Sequence, residues 1–532
     1  MKNFIIKHKI PLSLIPSGFL TALPLVIPEL GFLQWISLIP MAFALMWMCE
    51  SEKVRPFRAY GMGLLFFMSY YAVTFHWFFY MYPLDFAGLS NGVSLVVVVL
   101  ACFGTAFLQA IFSALGFVAF VFVAKTKFMQ KRVYLMPVLM ASLWVIAEWG
   151  QNFGWWGVPW GRLPLGQINF TLLLRSASLF GSYFITFAIV AVNFFIAIAM
   201  IKHGIRKMAI VAAASIFVVN LALGVGVTLT YKEEGETYKA AAIQGNISST
   251  EKWNGKTAQV FYIYRDLTSQ AASEGAEIVV WPETAIPIVL AERPDYYEAI
   301  TAVAKDNNVT LIVSLFTRDE ETGQLRNSIL EINSNGEVNE AVYSKQRLVP
   351  FGEFVPMRDF VTAIFPPLAD INMLSEDLSA GKESVVIDGE KGKIGCAVCF
   401  DSIYEKVLWD ASNNGAELFA VSTNDSWFSD SAALAMHNAQ SRLRAIENGR
   451  YVVRAANTGI SSVIDPMGNV DSELGALERG YIISSVCMRS STTLYSLIGN
   501  VVVYACIAFV LLPPAISLFS KMKKNERKSI KN

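Results

Sequence analysis

Long apolar stretches without charged residues dominate the first 231 positions of this 532-residue chain. A helix needs about 20 apolar residues to cross the hydrocarbon core of a bilayer. Eight stretches meet or approach this requirement: 10–28, 30–49, 59–84, 86–124, 133–147 continuing past Glu148 to 149, 176–201, 208–231 and 490–520. The pattern predicts a polytopic α-helical membrane bundle of eight transmembrane helices. The first helix is expected to stay uncleaved, because no small-residue cleavage site follows it.

The stretch at 86–124 is long enough for one overlong helix or for a tight hairpin, and the basic residues decide between them. With one crossing there, alternate loops and both termini carry 19 Lys and Arg residues, whereas the short loops on the other side carry two, Arg162 and Arg175. Loops rich in Lys and Arg stay in the cytoplasm. We therefore expect both termini to be cytoplasmic and the long segment after the seventh helix to be exported.

Residues 230–494 have a different pattern, in which short β-rich runs alternate with stretches of helical periodicity. The strand-like runs are 239–243, 277–281, 310–315, 328–332, 393–399, 417–422, 451–455 and 461–464, and the helical stretches include 256–272, 296–306 and 433–448. This alternation predicts an α/β domain with mixed sheets covered by helices. The expected plan is a membrane domain at 1–229, an exported domain at 230–494, an eighth transmembrane helix at 495–520 and a basic cytoplasmic tail at 521–532.

Composition agrees with a membrane protein. Hydrophobic residues make up 54% and charged residues 16% of the chain, and the mean hydropathy is +0.44; soluble domains have about 25% charged residues. Six cysteines are too few for a disulfide scaffold. Residues 230–494 contain 22 Lys and Arg against 37 Asp and Glu, a net charge of −15. This acidic balance provides no electrostatic surface for nucleic acid, so no nucleic-acid partner is expected.

Histidine is scarce, which limits the catalytic arrangements that the chain could contain. Three of the four histidines, His8, His76 and His203, lie in or beside predicted membrane helices. A Ser/His/Asp triad, a Cys/His dyad or a histidine zinc site would therefore depend on His437 alone. We interpret His437 as an ordinary residue on the face of a helix.

Cys396 and Cys399 form a CxxC motif, but its context argues against a redox or zinc site. A redox pair lies at the start of a helix, and a zinc site needs a second such pair. Here the preceding run is strand-like, which directs residues three apart to opposite faces. We expect Cys396 to be a buried thiol and no metal to bind. Cys399 ends the strand, and a sharp turn into a helix would expose its thiol.

Two further segments carry charged residues after predicted strands. Glu283 follows the apolar run 278–281 and Pro282, which ends regular strand pairing. Lys345 and, eight residues later, Glu353 lie in the segment 343–356. Taken singly, such residues are usually solvated surface groups.

Taken together, these three segments resemble the nitrilase superfamily, whose members carry a Glu, a Lys and a Cys in that chain order, each at the end of a strand in an αββα sandwich. The resemblance covers the whole exported domain and includes Gln244-Gly-Asn246, Asn424-Asp-Ser-Trp-Phe428 and Arg450-Tyr-Val-Val-Arg-Ala-Ala-Asn-Thr-Gly459. It implies that Glu283, Lys345 and Cys399 form a catalytic triad.

The resemblance also marks supporting positions. Glu353 and Trp253 match further important positions of the superfamily. Phe400 and Asp401 follow the cysteine where many members have Tyr-Glu, so this chain lacks a phenol hydroxyl at position 400. Trp427 either lines the entrance for an acyl chain or packs in the core of the domain.

Seven predicted helices before the exported domain and one after it resemble a membrane-embedded acyltransferase branch of this superfamily, in the inner (cytoplasmic) membrane of bacteria. The resemblance implies that Cys399 attacks the sn-1 ester of a phospholipid and forms a thioester. The α-amine of a diacylglyceryl-cysteine apolipoprotein then takes the acyl chain, in the final step of lipoprotein maturation. It implies ping-pong kinetics, a periplasmic catalytic domain, and a phospholipid donor, an apolipoprotein acceptor and the bilayer as partners, with no cofactor.

Two alternatives remain at this level. A membrane-tethered nitrilase or amidase that hydrolyses a small amide would use the same triad, but it would not need eight helices. A transporter with an exported binding domain would not be an enzyme. Charges inside the membrane usually mark ion or substrate pathways, and the predicted helices contain almost none, with Glu148 as the main exception.

Overall fold

The chain divides into two compact units. The first comprises Met1–His76, Val99–Leu229 and Ile498–Asn532, and the second comprises Trp77–Val98 and Thr230–Leu497. The computed structural model describes residues 2–50, 55–84, 88–248, 252, 256–319, 321–364 and 376–529. The second unit therefore combines a short segment from the N-terminal half with almost all of the predicted α/β region.

Helices follow the apolar stretches of the N-terminal half and alternate with strands after residue 230. In chain order they are α1 (Lys2–Val26), α2 (Ile39–Glu50), α3 (Pro56–Thr74), α4 (Asn91–Ser113), α5 (Leu115–Ala124), α6 (Lys127–Gln130), α7 (Met136–Gly150), α8 (Thr171–Leu174), α9 (Ala177–Phe180), α10 (Ser182–Ile201), α11 (Arg206–Thr230), α12 (Thr257–Ser273), α13 (Pro294–Asn307), α14 (Arg358–Ile364), α15 (Glu405–Asn413), α16 (Ala432–Asn448), α17 (Leu494–Ile498) and α18 (Val501–Ser529).

Within the described residues, six helical segments are long and apolar enough to cross a membrane. They are Pro28–Glu50, Asn91–Ala124, Val133–Gly150, Ser182–Ile201, His203–Thr230 and Val501–Lys523. The other two predicted spans correspond to α1 and α3, which are helical but less suited to the bilayer. The apolar part of α1 is the short helix Leu12–Val26, and Arg58 together with Tyr and Ser side chains lowers the hydropathy of α3.

Within the described part of the long stretch at 86–124, residues 91–124 form one helical path and not a hairpin. Helices α4 and α5 meet at Ala114, whose φ of −63° and ψ of −23° are helical. The amide of Ala114 also donates to the Ala110 carbonyl at 2.8 Å, as in a continuing helix. The structure therefore agrees with the single crossing that the charge pattern predicts.

Glu148, the one carboxylate predicted within a membrane helix, is fully engaged by neighbours in its own unit. It lies near the end of α7 and is buried. Its carboxylate accepts hydrogen bonds from Trp144 Nε1 at 3.0 Å, from the Leu163 amide at 2.9 Å and from Thr186 Oγ1 at 2.6 Å. Polar groups in hydrocarbon need such internal partners. These hydrogen bonds connect α7 to the Leu163 amide and to Thr186 of α10. They give no support to a role of Glu148 in an ion pathway.

The second unit contains two six-stranded mixed sheets. The strands are β1 (Thr237–Gln244), β2 (Ile278–Val280), β3 (Thr310–Arg318), β4 (Leu325–Ile332), β5 (Tyr343–Ser344), β6 (Val386–Gly389), β7 (Gly392–Val398), β8 (Leu418–Thr423), β9 (Tyr451–Ala456), β10 (Ser461–Ile464), β11 (Val470–Leu474) and β12 (Gly480–Cys487). Their orders are β12-β1-β2-β3-β4-β5 and β11-β10-β9-β8-β7-β6. All eight predicted strand runs are confirmed, to within a few residues at their ends.

The two sheets face each other and helices cover their outer faces. Between the sheets, Ser422 Oγ donates to the Trp281 carbonyl at 2.8 Å, and Ser461 Oγ donates to Gln244 Oε1 at 2.6 Å. Helices α12 and α13 pack on the first sheet through an apolar core, and α15 and α16 cover the second. The unit is therefore an αββα sandwich. In each sheet three adjacent strands are parallel, β1 to β3 and β7 to β9, so that their carboxyl ends meet at one edge.

Candidate active site

Glu283 lies just beyond β2, in the interior of the domain. It is 6% exposed. Its Oε1 accepts hydrogen bonds from Lys345 Nζ at 2.9 Å and from Asn327 Nδ2 at 2.8 Å, and its Oε2 accepts one from the Asn424 amide at 2.9 Å. These bonds come from the ends of three other strands and hold the carboxylate in one orientation. Glu283 is therefore not the solvated loop residue that a single carboxylate usually is.

Lys345 directly follows β5 and is 1% exposed. Its amide donates to the Asn327 carbonyl at 2.8 Å, which continues the pairing with β4. Its ammonium lies between two carboxylates, 2.9 Å from Glu283 Oε1 and 2.8 Å from Glu353 Oε1. Burial by itself lowers the pKa of Lys345, but the two negative charges outweigh it and hold that pKa well above its usual value. The lysine therefore remains a cation.

Glu353 shares this lysine and is anchored by its own loop. Its Oε2 accepts a hydrogen bond from the Val349 amide at 2.7 Å. Burial raises the pKa of Glu353, while the Lys345 ammonium acts in the opposite direction. Glu353 is thus the second carboxylate that holds the Lys345 ammonium, beside Glu283.

Cys399 begins a one-turn 3-10 helix, Cys399–Ile403, immediately after β7, and is partly exposed. Its φ of +48° lies in the left-handed region, which costs a residue with a Cβ about 1 kcal/mol or more. Burial of the sulfur raises the pKa of its thiol, the negative charge of Glu283 raises it further, and Lys345 lowers it. The thiol is therefore protonated at rest and lies within the electrostatic reach of both charged residues.

Asp401 fixes the turn that presents the thiol. Its carboxylate accepts hydrogen bonds from the amides of Val398 at 3.1 Å and Arg347 at 2.8 Å, and from the Tyr343 hydroxyl at 2.7 Å. Burial raises the pKa of Asp401 to about 6. Because Tyr343 and Arg347 flank Lys345 in the sequence, Asp401 ties the cysteine turn to the lysine loop. These bonds hold the cysteine turn in place against the lysine loop.

The remaining predicted site residues differ in how closely they approach this cluster. The ring of Phe400 packs edge-on against that of Tyr404, with 5.4 Å between the ring centroids. Its side chain therefore makes an apolar contact. Trp427 is half-buried in the short turn Ser426–Phe428 that follows β8, next to Phe428. Trp253 lies outside the described residues.

Lys252, the residue before Trp253, is a second buried lysine of the site that our sequence analysis did not single out. It is 1% exposed, and its ammonium donates to the Glu283 carbonyl at 2.8 Å and to Thr284 Oγ1 at 2.9 Å. Thr284 has a φ of +41°. Lys252 therefore stabilises the left-handed backbone conformation at Thr284, directly after Glu283. No sequence signal distinguishes it from a surface lysine.

We expect Lys252 to make stability depend on pH in the alkaline range. Burial lowers the pKa of Lys252 to about 8, against 10.5 for a free lysine, with partial compensation from Glu283 and Cys399. Between these values the unfolded chain binds more protons, so the free energy of unfolding rises with pH. Relative to a Lys252→Met variant, the wild type should gain about 3 kcal/mol from pH 8 to 10.5, which thermal melts in detergent would detect. Parallel melting profiles for the wild type and the variant would contradict this expectation, and the exposed Lys305→Met variant is the control.

A second group missed by the sequence analysis lies behind the cysteine. His437 is buried, with Nδ1 2.8 Å from Asp425 Oδ1 and Nε2 3.1 Å from the Cys399 carbonyl oxygen. Asp425 also accepts hydrogen bonds from Thr423 Oγ1 and from Arg454 Nη2, each at 2.9 Å. His437 does lie on the face of a helix, as expected, but its position is not an ordinary one, because the fold brings α16 against the turn after β7.

The same group does not suit a metal ion. One ligand atom each of Cys399, Asp425 and His437 lies within 4.8 Å of the others, a donor set that metals use elsewhere. However, the histidine Nδ1 and the carboxylate already bond to each other, and the carboxylate is paired with the Arg454 guanidinium. A cation would have to break these bonds beside a fixed positive charge.

Comparison with family models divides the chain in the same way as its composition. Residues 239–493 match the carbon-nitrogen hydrolase model, and residues 17–195 match the model of the apolipoprotein N-acyltransferase N-terminal domain. The first match contains Glu283, Lys345 and Cys399. The second covers most of the apolar helices that precede the sandwich.

Curated relatives extend over nearly the whole chain. The apolipoprotein N-acyltransferase of Geobacter metallireducens is 28% identical over 514 residues, which are 95% of this chain and 94% of the relative. That of Gloeobacter violaceus is 29% identical over 498 residues, 92% of this chain and 91% of the relative. That of Pseudomonas syringae pv. tomato is 29% identical over 365 residues, 67% and 69% of the two chains. The similarity therefore includes the membrane helices as well as the sandwich.

Proposed function

Because the chain belongs to the apolipoprotein N-acyltransferase family, a membrane-embedded branch of the carbon-nitrogen hydrolases, we propose that Cys399 carries an acyl chain from a phospholipid to the α-amine of an apolipoprotein. The chain is thus an acyltransferase of lipoprotein maturation. The observation that carries the proposed mechanism is the buried Lys345 ammonium, held between Glu283 and Glu353 and within electrostatic reach of the Cys399 thiol.

In the first half-reaction the sulfur attacks the sn-1 ester carbonyl of a phospholipid. The raised pKa of Cys399 keeps the thiol protonated, so a base must remove the proton as the C–S bond forms. Glu283 takes this proton. The C–O bond to glycerol then breaks, and the leaving alkoxide takes the proton back from Glu283. The products are a Cys399 thioester and a lysophospholipid.

The tetrahedral intermediate places a negative charge on the former carbonyl oxygen. The Lys345 ammonium is a buried cation that can stabilise this charge, and the Phe400 amide at the strained turn is a second donor. One such donor typically contributes about 3 kcal/mol to the lowering of the barrier. The proton moves from the thiol to Glu283 within the site, so the net charge of the buried cluster does not change.

In the second half-reaction the α-amine of a diacylglyceryl-cysteine attacks the thioester carbonyl. The N–C bond forms, Glu283 takes a proton from the amine, the C–S bond breaks and the thiolate takes that proton. The amide product is more stable than the thioester, which makes the transfer favourable. Donor and acceptor use the same thiol in succession, so we expect ping-pong kinetics.

Both substrates are lipids, which explains why the catalytic sandwich is joined to apolar helices. Exposing an acyl chain to water costs about 0.8 kcal/mol for each CH₂ group, so the acyl chain is best transferred at the bilayer surface. We propose eight membrane crossings in the bacterial inner membrane, with both termini in the cytoplasm and residues 230–494 on the periplasmic side. The 19 to 2 distribution of basic residues supports this orientation. It divides the chain into 1–229, 230–494, 495–520 and the tail 521–532.

The two alternatives gain less support. A hydrolase of small, water-soluble amides would not need the six apolar helices. A transporter would need polar groups open to a pathway, whereas Glu148 is buried and fully hydrogen-bonded.

An acyl-transfer assay with the full-length chain in proteoliposomes tests the proposed function. The vesicles contain phospholipid with an isotope-labelled sn-1 acyl chain and a synthetic diacylglyceryl-cysteine peptide. We expect the peptide to gain one labelled acyl chain as an amide, with one lysophospholipid formed for each. An N-acetylated peptide is the matched control and should remain unmodified. Release of ammonia from a small amide, without acylation of the peptide, would instead favour the amidase.

A further inference from the structure

The peptide that follows the cysteine is held from behind by a buried histidine. His437 Nε2 lies 3.1 Å from the Cys399 carbonyl oxygen and 3.1 Å from Ser402 Oγ. The Ser402 hydroxyl donates to the same carbonyl at 2.8 Å. Two side chains from different elements, α16 and the turn after β7, therefore converge on one backbone oxygen.

A fixed carbonyl also fixes the amide on the other side of the peptide plane. The peptide joining Cys399 to Phe400 is trans, and in a trans peptide the C=O and N–H bonds point in opposite directions within one plane. When His437 and Ser402 hold the Cys399 oxygen at the back of the turn, the Phe400 N–H must point to the front. Because Cys399 has a φ of +48°, this orientation needs support from outside the turn.

The histidine is itself held in place by charged neighbours. Asp425 Oδ1 accepts a hydrogen bond from Nδ1 at 2.8 Å, and Arg454 Nη2 donates to Asp425 Oδ2 at 2.9 Å. Burial alone raises the pKa of Asp425, but His437 and Arg454 outweigh it and lower that pKa to about 2. The carboxylate is therefore ionised, and it keeps the ring in a single orientation. Because the two ring nitrogens face two acceptor oxygens, Asp425 Oδ1 and the Cys399 carbonyl, the ring that holds both carries a proton on each nitrogen.

We propose that His437, oriented by Asp425, is a positioning residue that directs the Phe400 amide toward the oxyanion of each tetrahedral intermediate. The inference rests on the proposed function, because only attack on an ester or thioester carbonyl creates this oxyanion. His437 contacts no substrate and takes no proton in the reaction. Its contribution is made through the backbone of the nucleophile turn.

Two variants separate this role from simple support of the fold. His437→Phe keeps the ring volume and removes both nitrogens, and its rate of Cys399 acylation should fall about 10²-fold, the value for one oxyanion donor, with KM nearly unchanged. His437→Gln keeps an N–H donor near the position of Nε2 and should recover most of that rate. Intact-protein mass after exposure to phospholipid gives the rate, and thermal melts in detergent show that both variants fold.

Alkylation of Cys399 by iodoacetamide supplies the readout that a purely structural role would not predict. This displacement at carbon forms no oxyanion, so wild type and both variants should react at rates within about twofold of each other. Equal losses of alkylation and acylation in His437→Phe would overturn the proposal, as would acylation at the wild-type rate. A wild type that is alkylated at Cys399 but never acylated would refute the proposed function itself, which distinguishes the two failures.

Discussion

Replacing Cys399 with alanine is expected to reduce acyl transfer by at least about 10⁴-fold, the scale on which loss of a nucleophile abolishes catalysis in comparable enzymes. The reason is chemical, because no other group in the proposed mechanism can carry the acyl chain between substrates. The change removes a single sulfur atom from a residue that is partly exposed as a whole, so the fold should persist. The proteoliposome assay measures the rate, and thermal melts check the fold.

Cys396→Ala is the matched control for this experiment, because it makes the same chemical change three residues away. Cys396 is fully buried within β7, on the strand that leads to the turn. We expect its variant to lose about 1 kcal/mol of stability and to keep near-normal transfer. An inactive but folded Cys396→Ala variant would contradict a single-thiol mechanism and favour a dithiol.

Replacing Lys345 with methionine should lower kcat/KM about 10²- to 10³-fold. Methionine is similar to lysine in length and shape but has no ammonium, so the substitution removes an oxyanion donor. It should also lower the melting temperature. Lys345 is ion-paired with two carboxylates that are both largely buried, Glu283 and Glu353, and removal of the cation from such a network leaves uncompensated charge.

A second substitution separates these two effects. In the double variant Lys345→Met with Glu353→Gln, one of the two carboxylates is neutral, so much of the lost stability should return. The transfer rate should remain low, because the ammonium is still missing. If the double variant regained activity together with stability, Lys345 would be a structural residue, and the oxyanion role would be refuted. Lys305→Met, at an exposed position of α13, controls for loss of a lysine.

The periodicity of the sequence predicts the framework of the sandwich well. Strands such as β3 and β8 are mostly apolar and are buried over most or all of their length, which gives a strong local signal. Four strands were not predicted, β5, β6, β11 and β12. β5 has only two residues and β11 is half exposed at a sheet edge. β6 and β11 are short, partly exposed strands that pair with their chain neighbours β7 and β10, whereas β12 pairs with β1, far away in the sequence. The local pattern therefore marks none of them clearly.

The local sequence pattern indicates some residues of the site, whereas others are recognised only from contacts between distant parts of the chain. Glu283, Lys345 and Cys399 each follow a recognisable strand, and a family resemblance supplies their grouping. Lys252 and His437 have no such local mark. Each acquires its position only through a contact with the end of a strand elsewhere in the sequence, which spans 31 residues for Lys252 and 38 for His437.

The most direct test of the central claim is the mass of the intact protein after incubation with phospholipid in the absence of any acceptor. We predict an adduct of one acyl chain on Cys399, which neutral hydroxylamine removes and which disappears when the diacylglyceryl-cysteine peptide is added. The Cys399→Ala variant should show no adduct. If Cys399 stays unmodified under conditions in which the peptide is nevertheless acylated, the acyl chain does not pass through this thiol, and the account is contradicted.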